Sequence, residues 1–280
     1  MDKKMPIFWG IHAKPPKIWK IVLGLLPFII LVSVYLTASH VRLERNSDDK
    51  LLPSIGKMIQ AVDGLAFTKD KRKGEYLMLR DTLSSLKRLI IGVLAAAVVG
   101  LFLGMNLGVF PGFNALLMPF VTFISIIPSL SLLPILFISF GIDEMGKVIL
   151  IFWGTFILIT RDMYLATKAI HEEQIIKALT LGASQFSIVY KIVLPQIMPR
   201  LIETIRLCLG GGWLFLIASE AIAATDGLGY RIFLVRRYMA MDIIIPYVLW
   251  ITFLGYMMDL ILRLIIKWRY SWYVEMRKGG

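Results

Sequence analysis

Cysteine is almost missing from this chain. Of its 280 residues only Cys208 carries a thiol, and it sits inside an apolar run. One thiol cannot close an intrachain bridge, so a disulfide scaffold is excluded. Histidine is scarce as well. His12, His40 and His171 lie far apart and do not form the ligand cluster that a metal site needs, so no metal is expected. No HExxH or GxSxG pattern occurs, which places a membrane-embedded enzyme low. Charge is thin too: 18% of residues are Asp, Glu, Lys or Arg, against about 25% in a soluble domain. These shortages exclude an ordinary cytosolic enzyme and a disordered chain.

What replaces charge is apolar sequence. Hydrophobic residues make up 58% of the chain, and the mean hydropathy is +0.74. The apolar residues come in blocks near or above the ~20 residues that cross a bilayer core. Outer-membrane barrels alternate polar and apolar residues and never give such runs. Six spans are predicted, at about 18–38, 84–107, 114–140, 146–167, 204–224 and 244–266. Each must be a helix, because lipid offers an open backbone no hydrogen-bond partner. The fold class is therefore all-α: a polytopic membrane bundle of about six helices, with 18–280 as one membrane domain and no soluble domain attached.

The balance is basic, with Lys+Arg 31 against Asp+Glu 19 and a net charge of +12. In a membrane protein such charge meets lipid headgroups and sets orientation, so no nucleic acid partner is expected. The tail 1–17 carries Lys3, Lys4, Lys14 and Lys17, and the other end carries Lys267, Arg269, Arg277 and Lys278. Both ends are expected in the cytoplasm, N-in and C-in. That puts the mixed-charge loop 39–83 outside, with a short amphipathic stretch at Leu51 to Val62, and the connection 168–203 inside.

Several patterns inside the spans carry physical content. Gly100, Gly104 and Gly108 form a GxxxGxxxG ladder, a flat stripe where another helix can approach closely, within or between chains. The third span contains Pro128 and Pro134, which free backbone carbonyls and disturb the helix. Broken helices are tolerated at membrane depth where they face protein or a wet cavity. Ser125, Pro128, Ser129 and Ser131 are thus candidates for a translocation path, and a kinked packing helix is the alternative. Asp259 and Arg263, four apart, read as a local ion pair. Glu220 has no partner on its own helix, so a structural and a path-gating role both stay open. Gly141 to Val148 nearly matches a phosphate loop, GxxxxGK[ST]. Val148 replaces the hydroxyl residue, Asp143 and Glu144 would repel phosphate, and the segment joins two spans. It is read as a chance match, so no cofactor is expected in this chain.

The segment Ala178 to Pro195 has helical character on both sides of Gly182, as in a compact elbow offered to a partner. It resembles the EAA loop of permease subunits of bacterial binding-protein-dependent ABC importers: Glu-Ala-Ala, three residues, Gly, nine residues, Ile-x-Leu-Pro. Ala178, Gly182, Ile192, Leu194 and Pro195 match at that spacing, with Ala183 beside the glycine. Ile176 and Lys177 replace the glutamate and first alanine, a departure that touches the glutamate's polar contact and leaves the elbow. Ser85-Leu-Lys-Arg88, Ile127 to Pro134 with Phe140-Gly141-Ile142, and Glu220 followed by Gly227-Leu-Gly229-Tyr230 are similar to the nitrate/taurine/sulfonate branch. The resemblance covers roughly residues 80–235.

The resemblance implies a permease working with a second permease chain, expected as a homodimer. It implies two ATPase subunits, which hold the ATP and magnesium, and a periplasmic solute-binding protein. The elbow 168–203 would be the cytoplasmic coupling loop. Gly227, Gly229 and Tyr230 would lie in a periplasmic loop, and the chain in a bacterial inner membrane. The solute would be a small anion such as nitrate, a sulfonate or taurine, with Arg231, Arg236 and Arg237 as a possible basic vestibule or a contact for lipid or the binding protein. An ion-coupled secondary transporter is the alternative.

Overall fold

The computed structural model describes residues 16–46, 49–70 and 74–279. His12, Lys3, Lys4 and Lys14 of the expected cytoplasmic tail lie outside the described residues. Among the described residues, all regular structure is helical. The helices are α1 (Lys17–Arg45), α2 (Ile55–Ala66), α3 (Leu77–Val109), α4 (Pro111–Ser125), α5 (Leu133–Phe140) and α6 (Glu144–Lys168). Then come α7 (Glu172–Thr180), α8 (Gln185–Ile188), α9 (Leu194–Ala223), α10 (Leu228–Arg236), α11 (Met241–Arg269) and α12 (Ser271–Gly279). A single 3-10 turn, Ser129–Leu132, precedes α5, and a π turn, Val189–Val193, joins α8 to α9.

Five of these helical runs are long and apolar enough to cross a membrane. The third predicted span is different: α4 and the run Ser129–Phe140 meet at 87°. Pro128 sits at that break. With no N–H and a fixed φ, it cannot continue α4. Whether this bent pair crosses or turns back follows from its neighbours. Along α3 and α6 the contacts advance together: a Cβ on Gly92 would meet Ile151, one on Gly100 would meet Ile159, and one on Gly104 would meet Met163. The two helices are parallel. A chain that runs the same way twice must return between, so α4 and α5 together make one broken crossing. That gives six crossings and places Lys17 and Arg269 at the same end.

The other pairs agree. Asp162 faces Arg200 while Gly154 faces Phe215, so α6 and α9 are antiparallel. Arg206 faces Asp259 while Trp213 faces Gly255, so α9 and α11 are antiparallel. The α7–α8 elbow therefore shares one end of the bundle with Lys17 and Arg269. The segment 46–76 and α10 occupy the far end.

The α3–α6 seam is held by small residues. A Cβ on Gly92, Gly100 or Gly104 would come within 2.8, 2.9 and 2.7 Å of Ile151, Ile159 and Met163 respectively, distances that force movement. The ladder thus packs within the chain, against α6. Leu89, Val93, Ile151, Trp213, Leu216, Leu228 and Tyr247 build the main core beside it. α1 stands outside that core, with none of its apolar window buried. Its far-end turns are tied down by Tyr35, whose hydroxyl donates to the Pro53 carbonyl at 2.7 Å, and by Ser39, which donates to Leu52 at 3.0 Å.

The connections are more helical than the sequence implied. The predicted loop 39–83 contains the end of α1, the amphipathic α2 and the start of α3. The stretch 168–203 is mostly helix, and Gln185–Ala223 runs unbroken for 39 residues. Gly229 and Tyr230 belong to the first turn of α10, and of the three expected loop residues only Gly227 lies outside the helix, at φ 118°. Hydropathy marks the part of a helix inside lipid. It is silent where the same helix continues into water or along the interface.

Candidate functional site

The elbow is built from its sequence upward. α7 opens with Glu172 and Glu173, which suit the positive end of a helix. It closes in a Schellman arrangement: the Gly182 N–H donates to Leu179 at 2.9 Å and the Ala183 N–H donates to Ala178 at 3.0 Å. Gly182 takes φ 81°, a conformation that a side chain makes costly. Ser184 then caps α8, accepting from the Ser187 N–H at 3.2 Å. Pro195 falls in the first turn of α9, where the missing N–H is tolerated, and the π turn lies just ahead of it.

The residues of the elbow divide into two sets. Ala178, Ala183, Ile192 and Leu194 pack against a core of Met105, Ile188, Val189, Val193 and Ile197. They fasten the elbow to the bundle. Leu181 is 88% exposed, and Ile176, Leu179 and Phe186 are exposed with it. These four make an apolar knob. Sequence reasoning named the fastening residues and not these exposed ones, of which Leu179, Leu181 and Phe186 fall between them and Ile176 just before them.

Polar contacts brace the elbow's base. Arg200 holds Asp162 through two bonds of 2.8 and 2.7 Å, and Thr204 donates to the same carboxylate. Tyr273 of α12 donates to Glu203 at 2.8 Å. Gln196 donates to Gln174 of α7 at 2.9 Å. His171 and Trp272 both line the cleft of about 500 Å³ between these helices.

The far end is an interlocked charge cluster. Arg88 is buried and holds three carboxylates: Glu144 at 2.6 and 2.7 Å, Glu220 at 2.7 Å and Asp226 at 2.6 Å. Glu220 is fully buried and also accepts from Ser85 at 2.8 Å and from the Gly229 N–H at 2.8 Å. Asp81, also fully buried, accepts from Arg231 at 2.8 Å, Tyr247 at 3.2 Å and the Gly227 N–H at 3.1 Å. Burial pushes the Asp226 carboxyl up, but Arg88 and then Arg80 outweigh it and hold it below the usual range. Glu220 is thus locked to α3 and to the turn before α10, with every oxygen bonded. Its partner Arg88 lies 132 residues away, so no local pattern could reveal the pair. Lys147 of the near phosphate loop donates to Glu144 at 3.1 Å, which occupies it.

The remaining path candidates sit at the break. Ser125 ends α4 and donates to Thr122 at 2.7 Å, while Ser131 donates to Pro128 at 2.7 Å. Arg161 of α6 donates to the Ser125 hydroxyl at 3.2 Å. Of the outer arginines, Arg231 is committed to Asp81, and Arg236 lies over the Phe233 ring. The predicted pair of Asp259 and Arg263 is present at 2.6 Å, and Arg206 takes the other oxygen at 2.7 Å. Among the described residues no three His, Cys, Asp or Glu side chains gather around a possible metal.

Comparison with known proteins bears on the whole arrangement. The chain is 29% identical over 194 residues to the taurine transport system permease protein TauC of Escherichia coli, covering 69% of this chain and 70% of that one. It is 27% identical over 192 residues to the putative aliphatic sulfonates transport permease SsuC of Bacillus subtilis, covering 67% and 70%. It is 26% identical over 188 residues to the bicarbonate transport system permease CmpB of Synechococcus elongatus, covering 67% and 68%. The fold is similar to a chain of the inward-facing MetNI methionine ABC transporter, with a TM-score of 0.57 at 21% identity, over 68% of this chain and 96% of that one. The model of one family, the binding-protein-dependent transport system inner membrane component, matches residues 96–269. A match over most of the chain, on a six-crossing helical bundle with an EAA-type elbow, makes this protein a member of that family of transport permeases.

Proposed function

We propose that this chain is the pore-forming permease of an ATP-driven importer for small oxyanions of the sulfonate, taurine or bicarbonate type. The elbow end faces the cytoplasm, because Lys267 and Arg269 close α11 at that end and cationic span ends favour the inside. The apolar knob inserts into a groove on a separate ATPase subunit, which holds the ATP and magnesium. Two permease chains enclose the path, and a periplasmic binding protein delivers solute at the α10 end, in a bacterial inner membrane. The relatives named for taurine, sulfonate and bicarbonate support the solute class.

The observation that carries this reading is Leu181, 88% exposed at the tip of a backbone held rigid by its own hydrogen bonds. A large apolar side chain that lies on no core is suited to burial in a partner. The test is co-purification of the ATPase subunit with this chain. Leu181→Asp is expected to abolish it while leaving the permease inserted and at normal abundance. Undiminished co-purification, or solute uptake by the purified chain alone on an ion gradient, would overturn the reading.

A further inference from the structure

Among the described residues, Arg161 is a cation on a crossing helix that no carboxylate holds. Arg88, Arg200, Arg206 and Arg263 each hold a carboxylate. Arg161 sits on the crossing helix α6, exposed, and among the described residues no ion pair engages it. Its one bond is to the Ser125 hydroxyl at 3.2 Å. The next carboxylate in sequence, Asp162, faces away and is held by Arg200 and Thr204.

Position sharpens the question. Arg161 lies seven residues before Lys168, the last residue of α6, which is about 10 Å of helix. Helical side chains lean toward the N-terminus. For α6 that direction is away from the near interface and toward the bilayer middle. The side chain therefore does not snorkel to headgroups at the elbow end. It points to Ser125, the last residue before the break at Pro128. Leu158 and Leu165 flank it on the same face, at 57% and 60% exposure. A charge on such a face is costly in lipid and belongs on a wet path.

We propose that Arg161 is an anion station on the solute path, with Ser125 as its positioning residue. The guanidinium presents its remaining N–H donors to the oxygens of a sulfonate or bicarbonate head, a geometry that a forked donor matches and a point charge does not. Ser125 receives one N–H and fixes the fork beside the break at Pro128. This rests on the oxyanion importer proposed above.

The test uses the full complex of permease, ATPase and binding protein in proteoliposomes, supplied with taurine, ethanesulfonate or bicarbonate. Arg161→Gln is expected to lower maximal uptake at least tenfold, with the half-saturating concentration unchanged because the binding protein sets it. Arg161→Lys is expected to restore part of the rate. Uptake by Arg161→Gln within twofold of the native complex would overturn the station. So would failure of both variants to assemble, which would make Arg161 a contact between subunits. A second measurement does not depend on transport. In Ser125→Cys, the rates of modification by an anionic and a cationic methanethiosulfonate are compared. Adding Arg161→Gln is expected to lower the anionic-to-cationic ratio about tenfold, the swing given by one nearby unit charge. An unchanged ratio would overturn the station. A native complex that moves none of the three solutes while the ratio still falls would leave the station standing and remove the importer assignment.

Discussion

The two ends of the bundle are built on opposite terms. At the far end, Arg88 ties α3, α6, α9 and the turn before α10 together, and Glu220 and Asp81 are fully buried and fully bonded. At the elbow end, the apolar tip of α7 is presented to the surroundings, and only the residues beneath it are buried. One end closes on itself and the other is left unfinished. Charge that is buried must be satisfied from within. An apolar knob that is exposed must be satisfied from without. Under the proposed function the contrast separates residues that make the fold from residues offered to a partner, and substitution can test it.

The largest effect is expected at the closed end. Arg88→Ala removes the partner of three carboxylates, and breaking a buried pair costs about 3–5 kcal/mol. Thermal unfolding in detergent is expected to show a large drop in midpoint, and a midpoint unchanged within error would mean that the cluster is not structural. A step smaller, Gly104→Ala places a methyl 2.7 Å from Met163 in the α3–α6 seam, and overpacking of this kind costs about 1–3 kcal/mol. Gly112→Ala, with open space at its position, serves as the neutral control in the same unfolding series. Smaller still, Gly182→Ala meets no atom but keeps a positive φ, a strain of about 1–2 kcal/mol. It is expected to weaken ATPase recruitment more than it lowers the unfolding midpoint. A full-strength complex from that variant would detach the elbow's shape from its role.

The smallest effect concerns pH. The Asp226 carboxyl is held below its ordinary value when folded. A depressed carboxylate contributes stability above its unfolded pKa and loses it as pH falls through the folded value. The lock is therefore expected to be at full strength near neutral pH and to weaken only below about pH 4, near the ordinary Asp value. Asp226→Asn removes that dependence. A native unfolding midpoint that fell between pH 7 and 5 no less than between pH 4 and 3 would show that another group governs the acid limit.

Much of the architecture was legible because lipid is a strict solvent. A crossing helix has to be long and apolar, so six crossings stand out. The 87° break in the third was signalled by Pro128. Local pairs were also legible: Asp259 and Arg263 are four residues apart, and one helix turn brings them together. The lock was not. Ser85 and Arg88 of α3, Glu144 of α6, Glu220 of α9 and Asp226 of the turn before α10 are far apart in sequence, and only tertiary packing makes them one cluster. Glu220 read as a lone charge on its helix because its partners are 132 and 135 residues away. The ladder of Gly100, Gly104 and Gly108 declared a close approach without saying to what. The answer, α6, required the return path through the broken crossing. The elbow's turn could be found from Gly182, whereas the exposure of Leu181 depends on how α7 lies on the bundle.

The parallel seam between α3 and α6 has a mechanical consequence. Two rods in near backbone contact along several turns cannot slide past each other, so the pair behaves as one beam. α4 and α5 form a strap slung from one end of that beam to the other, with a single knee at Pro128. A push delivered beneath the beam tips it as a unit, and the knee is where the strap must bend to follow.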